Sequence, residues 1–218
     1  RNILQQASEA ATGVPEECNL LTDIAIAQAK AGDVEGAIQT AAGIRDEIRD
    51  YWCRRYAFAQ INGVLGDVQR ALRIAAGIGD DRAKTYALLG IVESQAEAGH
   101  VQIATQAAVG IPDGTEWKAT ALATIAQAQA KAGDRAGALQ TLEQALRAAA
   151  LLREDRLKAS ALEDIATAQA EAGDVAGAIR TLKQAFPRQG GEANAAYSAL
   201  VMQLAMAGNA KGALQIVA

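Results

Sequence analysis

Histidine, cysteine, proline and aromatic residues are all scarce in this chain, and each shortage excludes something. One histidine and two cysteines stand among its 218 residues. Cys18 and Cys53 are too few for a disulfide framework and lack metal-ligand spacing, and a lone His100 does not complete a usual zinc set. Phosphate loops, metal clusters and nucleophile arrangements are also missing, so the chain is expected to be no enzyme and to carry no cofactor. Three prolines leave long stretches free to be helical. No run of ~18 apolar residues is present, so no membrane-spanning helix is expected. The net charge is only −4, and without a basic cluster the sequence carries no nucleic-acid footprint.

What the chain has instead is alanine, 53 residues of it, with half the sequence apolar and eight aromatic side chains. Ala, Gln, Glu and Leu favour helix. A core of Ala with Ile and Leu requires helices that approach closely, because few large side chains are available to fill wider gaps.

The alanines recur with a period. Ile24–Asp33 reads IAIAQAKAGD, Ile125–Asp134 IAQAQAKAGD and Ile165–Asp174 IATAQAEAGD, with an imperfect copy at 58–67. Alignment on the glycine gives Gly32, Gly66, Gly99, Gly133, Gly173 and Gly208, separated by 34, 33, 34, 40 and 35 residues. Five residues after each comes Ala37, Ala71, Ala104, Ala138, Ala178 or Ala213; eight before each is Ile24, Phe58, Ile91, Ile125, Ile165 or Leu200. Helical spacing flanks the glycine on both sides. The glycine suits the left-handed end of one helix, and Asp33, Asp67, Asp134, Asp174 or Asn209 suits the cap of the next. The recurrent alanine is expected at the closest crossing of the two helices.

The expected units are a partial repeat at 1–16, repeats at about 17–46, 47–80, 81–113, 114–152 and 153–190, and an incomplete one at 191–218. Residues 1–12, with Ala7 at the alanine position, match a second helix, so a first helix is expected upstream. The first three full units close on Gly43-Ile44-Arg45-Asp46, Gly77-Ile78-Gly79-Asp80 and Gly110-Ile111-Pro112-Asp113. There a glycine should again end one helix and an Asp cap the next. Later second helices should run on through Ala145–Leu152 and Ala185–Phe186, with a loose loop at Phe186–Gly191.

The period, the Gly-Asp turn and the small residues at the crossing resemble tetratricopeptide repeats over essentially the whole chain. The family's small first-helix position maps to Ala25, Ala59, Val92, Ala126, Ala166 and Val201. Its first-helix aromatic is replaced by Gln28, Asn62, Gln95, Gln129 and Gln169, and its terminal proline is absent. The resemblance implies an all-α solenoid of about six antiparallel helix pairs, a right-handed superhelix whose first helices line a concave face. Carried onto this chain, that face includes Ile26, Cys53, Tyr56, Gln60, Tyr86, Leu89, Glu93, Gln127, Met202 and Met206. With only Lys30 and Lys131 on it, the family's clamp for a peptide carboxylate is not expected.

Two readings of function follow. One is a scaffold binding a peptide or partner protein. The other is a carrier of an apolar small molecule, lipid or sterol-like, in a bacterial envelope trafficking system; on it the periplasm or cell envelope is favoured over the cytoplasm. Trp52, Arg54 and Arg55, in the aromatic stretch Asp50–Phe58, have the composition of an interaction hot spot. The same stretch also reads as an ion-paired, packed irregular repeat. The Gln/Asn row reads as buried hydrogen bonding between helices rather than a binding ladder. His100 reads as a substituted cap. Cys18 and Cys53 are either bridged or two buried thiols.

Overall fold

A computed structural model describes residues 2–11, 17–44, 54, 57–58, 61, 68–79, 81–187, 191–206 and 209–217. Among them every regular element is an α-helix. The chain divides into two compact units, Arg1–Ile111 and Pro112–Ala218. The first unit contains α1 (Asn2–Ala11), α2 (Glu17–Lys30), α3 (Val34–Gly43), α4 (Val68–Gly77), α5 (Asp81–Glu97) and α6 (Val101–Val109). In it α2 packs on both α1 and α3, and α5 on both α4 and α6. The second contains α7 (Glu116–Lys131), α8 (Arg135–Ala150), α9 (Asp155–Glu171), α10 (Val175–Ala185), α11 (Gly191–Met206) and α12 (Ala210–Val217). Here α7 pairs with α8, α9 with α10 and α11 with α12, while α9 also packs on α7 and α11.

The turn inside each pair follows from local chemistry. Gly32, Gly99, Gly133 and Gly173 have φ of 79°, 77°, 84° and 82°, the left-handed region that penalises a Cβ. At the second of these turns in the Pro112–Ala218 unit, Gly173 N–H donates to Ala170 O at 3.0 Å and Asp174 N–H to Gln169 O at 2.8 Å. That is the double bond pattern that satisfies the last carbonyls of a helix. Asp33, Asp134 and Asn209 close their turns with the same long bond, to Gln28, Gln129 and Leu204. The residue after the glycine therefore ends one helix and caps the next. The Asp174 and Asp134 carboxylates each accept from the amide three residues on, Gly177 and Gly137, at 2.9 Å. Asn209 does the same with Gly212 at 2.9 Å, and Asp33 with Gly36 at 3.3 Å.

Those four acceptors reveal a second repeated glycine. A Cβ at Gly177 would lie 2.6 Å from the Asp174 carboxyl carbon, and closer still to one of its oxygens. The cap residues have ψ near 66–71° rather than the extended backbone usual at a cap, which brings the carboxylate onto this site. At His100 the pattern lapses as a set: its side chain makes no cap bond, and Ile103 stands where the others have glycine. His100 occupies the cap position, as expected, but its Nδ1 is 3.0 Å from Gln95 Oε1 instead.

Ala37, Ala71, Ala104, Ala138, Ala178 and Ala213 are all buried. In the second unit Ala138 belongs to one cluster with Ala123, Ala126 and Leu142, and Ala178 to another with Ala166, Leu182 and Leu200. Helix α9 serves both clusters, Ala168 in the first and Ala166 in the second. A helix with apolar side chains on opposite faces has to be covered on both, and α9 is flanked accordingly.

The closing glycines Gly43, Gly77 and Gly110 each stand at the end of a helix, as expected. Gly110 keeps right-handed backbone, φ −76°. A Cβ there would lie 2.8 Å from Leu88 Cδ1 of α5, so the leucine tip would have to shift to admit one. Asp113 does not cap α7: the cap position is Thr115, with extended backbone, and Asp113 pairs with Lys118 Nζ at 3.6 Å. The tight positive-φ residue of this connection is Gly114. Asp46 and Asp80 lie outside the described residues. The long second helix is seen as α8, which runs to Ala150, and α10 ends at Ala185 ahead of Phe186.

Candidate functional site

Five of the expected face or hot-spot residues, Trp52, Cys53, Arg55, Tyr56 and Gln60, lie outside the described residues, and with Cys53 goes the question of a bridge to Cys18. Nothing is described of the Met206 side chain. The others do not share one environment. Ile26, Glu93 and Gln127 are half-buried on α2, α5 and α7, and Met202 on α11 is 66% exposed.

Tyr86 and Leu89 are interior groups, 1% and 0% exposed, and so do not lie on an open face. Arg54 is also buried rather than presented to a partner. Its Nε donates to Ile44 O at 2.8 Å, and Nη2 donates to the same carbonyl. The guanidinium carbon lies 5.8 Å from the Tyr86 ring centroid, within the range of a cation–π contact. Ile44 is the cap residue ending α3, so the charge sits where a helix terminus is negative. Composition alone suggested a hot spot here; packing has turned this arginine inward.

The glutamine row is interior in part. Gln28, Gln95 and Gln169 are buried and Gln129 is half-buried. Gln169 Oε1 accepts from Thr181 Oγ1 of the facing helix at 2.7 Å. Thr40 and Thr141 occupy the same place, eight residues after the turn glycine, and are buried too. The glutamine–threonine pairing was available from the alignment on glycine, since the spacing of twelve recurs in three units.

A row of polar groups crosses the first helices of the second unit. Thr120 Oγ1 on α7 donates to Asp164 Oδ2 on α9 at 3.0 Å. Gln203 Nε2 on α11 donates to Glu171 Oε1 on α9 at 2.7 Å. Gln127, Glu163 and Thr167 lie on the same helices, half-buried. These bonds tie one first helix to the next; the residues that make them are at least partly exposed, although Glu171 Oε2 is buried without a partner. Tyr197, on α11, packs against the neighbouring apolar cluster, and its burial raises the phenol above its ordinary 10.0.

Among the described residues no group of three or more His, Cys, Asp or Glu is placed to hold a metal ion. None of their helices is long and apolar enough to cross a membrane. Compared with protein-family models, curated proteins and solved structures, the chain matches none.

Proposed function

We propose that the chain is a tetratricopeptide-like helical-repeat solenoid of about six units that acts as a non-catalytic scaffold binding a peptide or partner protein. The observation that carries this reading is the polar row on α7, α9 and α11. Thr120, Gln127, Glu163, Thr167, Glu171 and Gln203 are partly exposed, and two bonds cross between adjacent helices there, Thr120 to Asp164 and Gln203 to Glu171. Side-chain amides and carboxylates on a rigid support suit the N–H and C=O groups of an extended peptide, and excess acceptors favour basic residues in it.

The test is selection of peptides from a random displayed library, followed by anisotropy titration of the enriched sequences. Gln127→Ala combined with Thr167→Ala should weaken binding about tenfold or more, the loss expected for two interfacial hydrogen bonds, with helical circular dichroism intact. Equal affinity for the altered and original proteins removes this face from consideration. The reading as carrier of an apolar molecule in a bacterial envelope draws on exposed Met202 and half-buried Ile26. A hydrophobic molecule retained in native mass spectra, with no peptide enriched, would replace the first reading by the second.

A further inference from the structure

The first unit contains a cleft of about 420 Å³ between α1 and α3, floored by α2. Ser8, Gln28, Asp33, Glu35, Gln39 and Thr40 line it. The repeat shows how this place differs from the α9–α10 pair. In α9 and α10 the buried amide and hydroxyl close on one another, Gln169 with Thr181. In α2 and α3 the corresponding Thr40 hydroxyl lies 3.3 Å from Ser8 Oγ of α1 instead. Gln28, a residue only 3% exposed, has its amide oxygen buried and without a partner, as does Gln129 in the second unit, and it is Gln28 that lines this cleft.

A buried amide oxygen without a donor costs roughly the full desolvation of that group, so a bound donor would be strongly favoured. The terminal torsion of glutamine is soft, and a turn about it presents the oxygen to the cleft. Charge then selects the donor. Asp33 and Glu35 line the cleft, and among the described residues that line it there is no Lys or Arg. We propose that this cleft binds a small organic cation bearing N–H donors, an amine or a guanidine, with Gln28 Oε1 accepting one N–H and Asp33 and Glu35 setting the charge. The site lies on a different unit from the polar row and does not depend on the peptide reading.

The head group has two sources, a free polyamine or a basic side chain of a peptide, and both are tested on the whole chain. Spermidine, agmatine and an N-acetylated, C-amidated arginine are titrated by calorimetry at 50 and 300 mM salt. Expected are saturable binding of at least one compound and a loss of about tenfold or more in Gln28→Leu, the scale of one charge-assisted hydrogen bond. Glu35→Gln should weaken binding severalfold, and Gln169→Leu should leave it unchanged. Thermal unfolding confirms that each variant is folded. Binding of the free amines but not capped arginine assigns the site to a small molecule; binding of capped arginine assigns it to a peptide side chain. No saturable binding, an amide satisfied by water alone, or equal weakening in Gln28→Leu and Gln169→Leu would each overturn the proposal.

Discussion

The effect of replacing Gly177 by alanine should depend on Asp174. In an ordinary helix, glycine to alanine gains about 0.8–1.0 kcal/mol. At this site the new Cβ would fall 2.6 Å from the Asp174 carboxyl carbon, a separation that real Cβ atoms do not tolerate. The carboxylate must swing away, and its 2.9 Å bond from the Gly177 amide is lost. Loss of a cap costs about 0.5–2 kcal/mol, so Gly177→Ala alone should fall between about 0.5 kcal/mol stabilising and about 1 kcal/mol destabilising. Asp174→Ala alone should cost about 1 kcal/mol by the same loss. With the carboxylate gone, the three nearest atoms that a Cβ at Gly177 would meet are removed, and Gly177→Ala should recover its propensity gain, restoring about 1 kcal/mol. The coupling between the two changes is then the lost cap, roughly 0.5–2 kcal/mol, against an additivity error of about 0.3–0.5 kcal/mol. Urea titrations of the four proteins, followed by circular dichroism at 222 nm, measure it. Amide exchange in α10 reads the same difference locally, which matters where neighbouring helix pairs open separately. A gain of about 1 kcal/mol from Gly177→Ala in both backgrounds would refute the argument that the carboxylate occupies the Cβ site.

The interior makes three further predictions. Ala138→Leu adds a large side chain at a fully buried crossing and should cost about 1–3 kcal/mol or more, lowering the midpoint in a thermal melt. Thr181→Val strands the Gln169 oxygen and should cost about 1–3 kcal/mol, most of which Gln169→Leu should return in the double variant. Arg54→Ala should destabilise the first unit by about 2 kcal/mol through the loss of its bonds to Ile44 O and its place over Tyr86; Arg54→Lys, without a planar fork, should recover only part, as chemical unfolding will show. Tyr197 adds a prediction in pH. Its phenol is raised by burial, so the neutral form is the one favoured by folding. The associated stability is complete below pH 10 and is lost as pH climbs through the folded-state value. Difference absorbance near 295 nm tracks this transition, and Tyr197→Phe removes it.

Legibility in the sequence followed the range of the interaction. Gly173 and Asp174 are adjacent, and the bonds that need a left-handed residue and a capping oxygen reach only a few residues along the chain. One copy of the turn therefore suggested its geometry, and recurrence made the reading secure. The burial of Ala138 and Ala178 was legible for a related reason: an alanine kept at one offset through six units has few explanations besides close helix approach. Gly177 and Thr181 carried signals of the same kind, at fixed offsets from the turn glycine. Their meaning depends on where a carboxylate and an amide lie in space, which spacing does not reveal.

Of the two readings of the stretch around Arg54, burial fits the packed one, and Tyr86, placed on the open face by the family resemblance, is interior; composition specifies which contacts a side chain favours and not which way its helix faces. Both satisfy their chemistry inside the first unit, against a helix terminus and one another. Gly110 ends its helix with right-handed backbone, its Cβ site beside the tip of Leu88. By itself the sequence determined helical class, the turn within each pair and the small residues between the helices, all consequences of short-range sterics and hydrogen bonding. Only the tertiary structure decided which polar groups close on each other and which, like Gln28 beside the diverted Thr40, are left open. That choice depends on a third helix, α1, supplying Ser8 from thirty-two residues away.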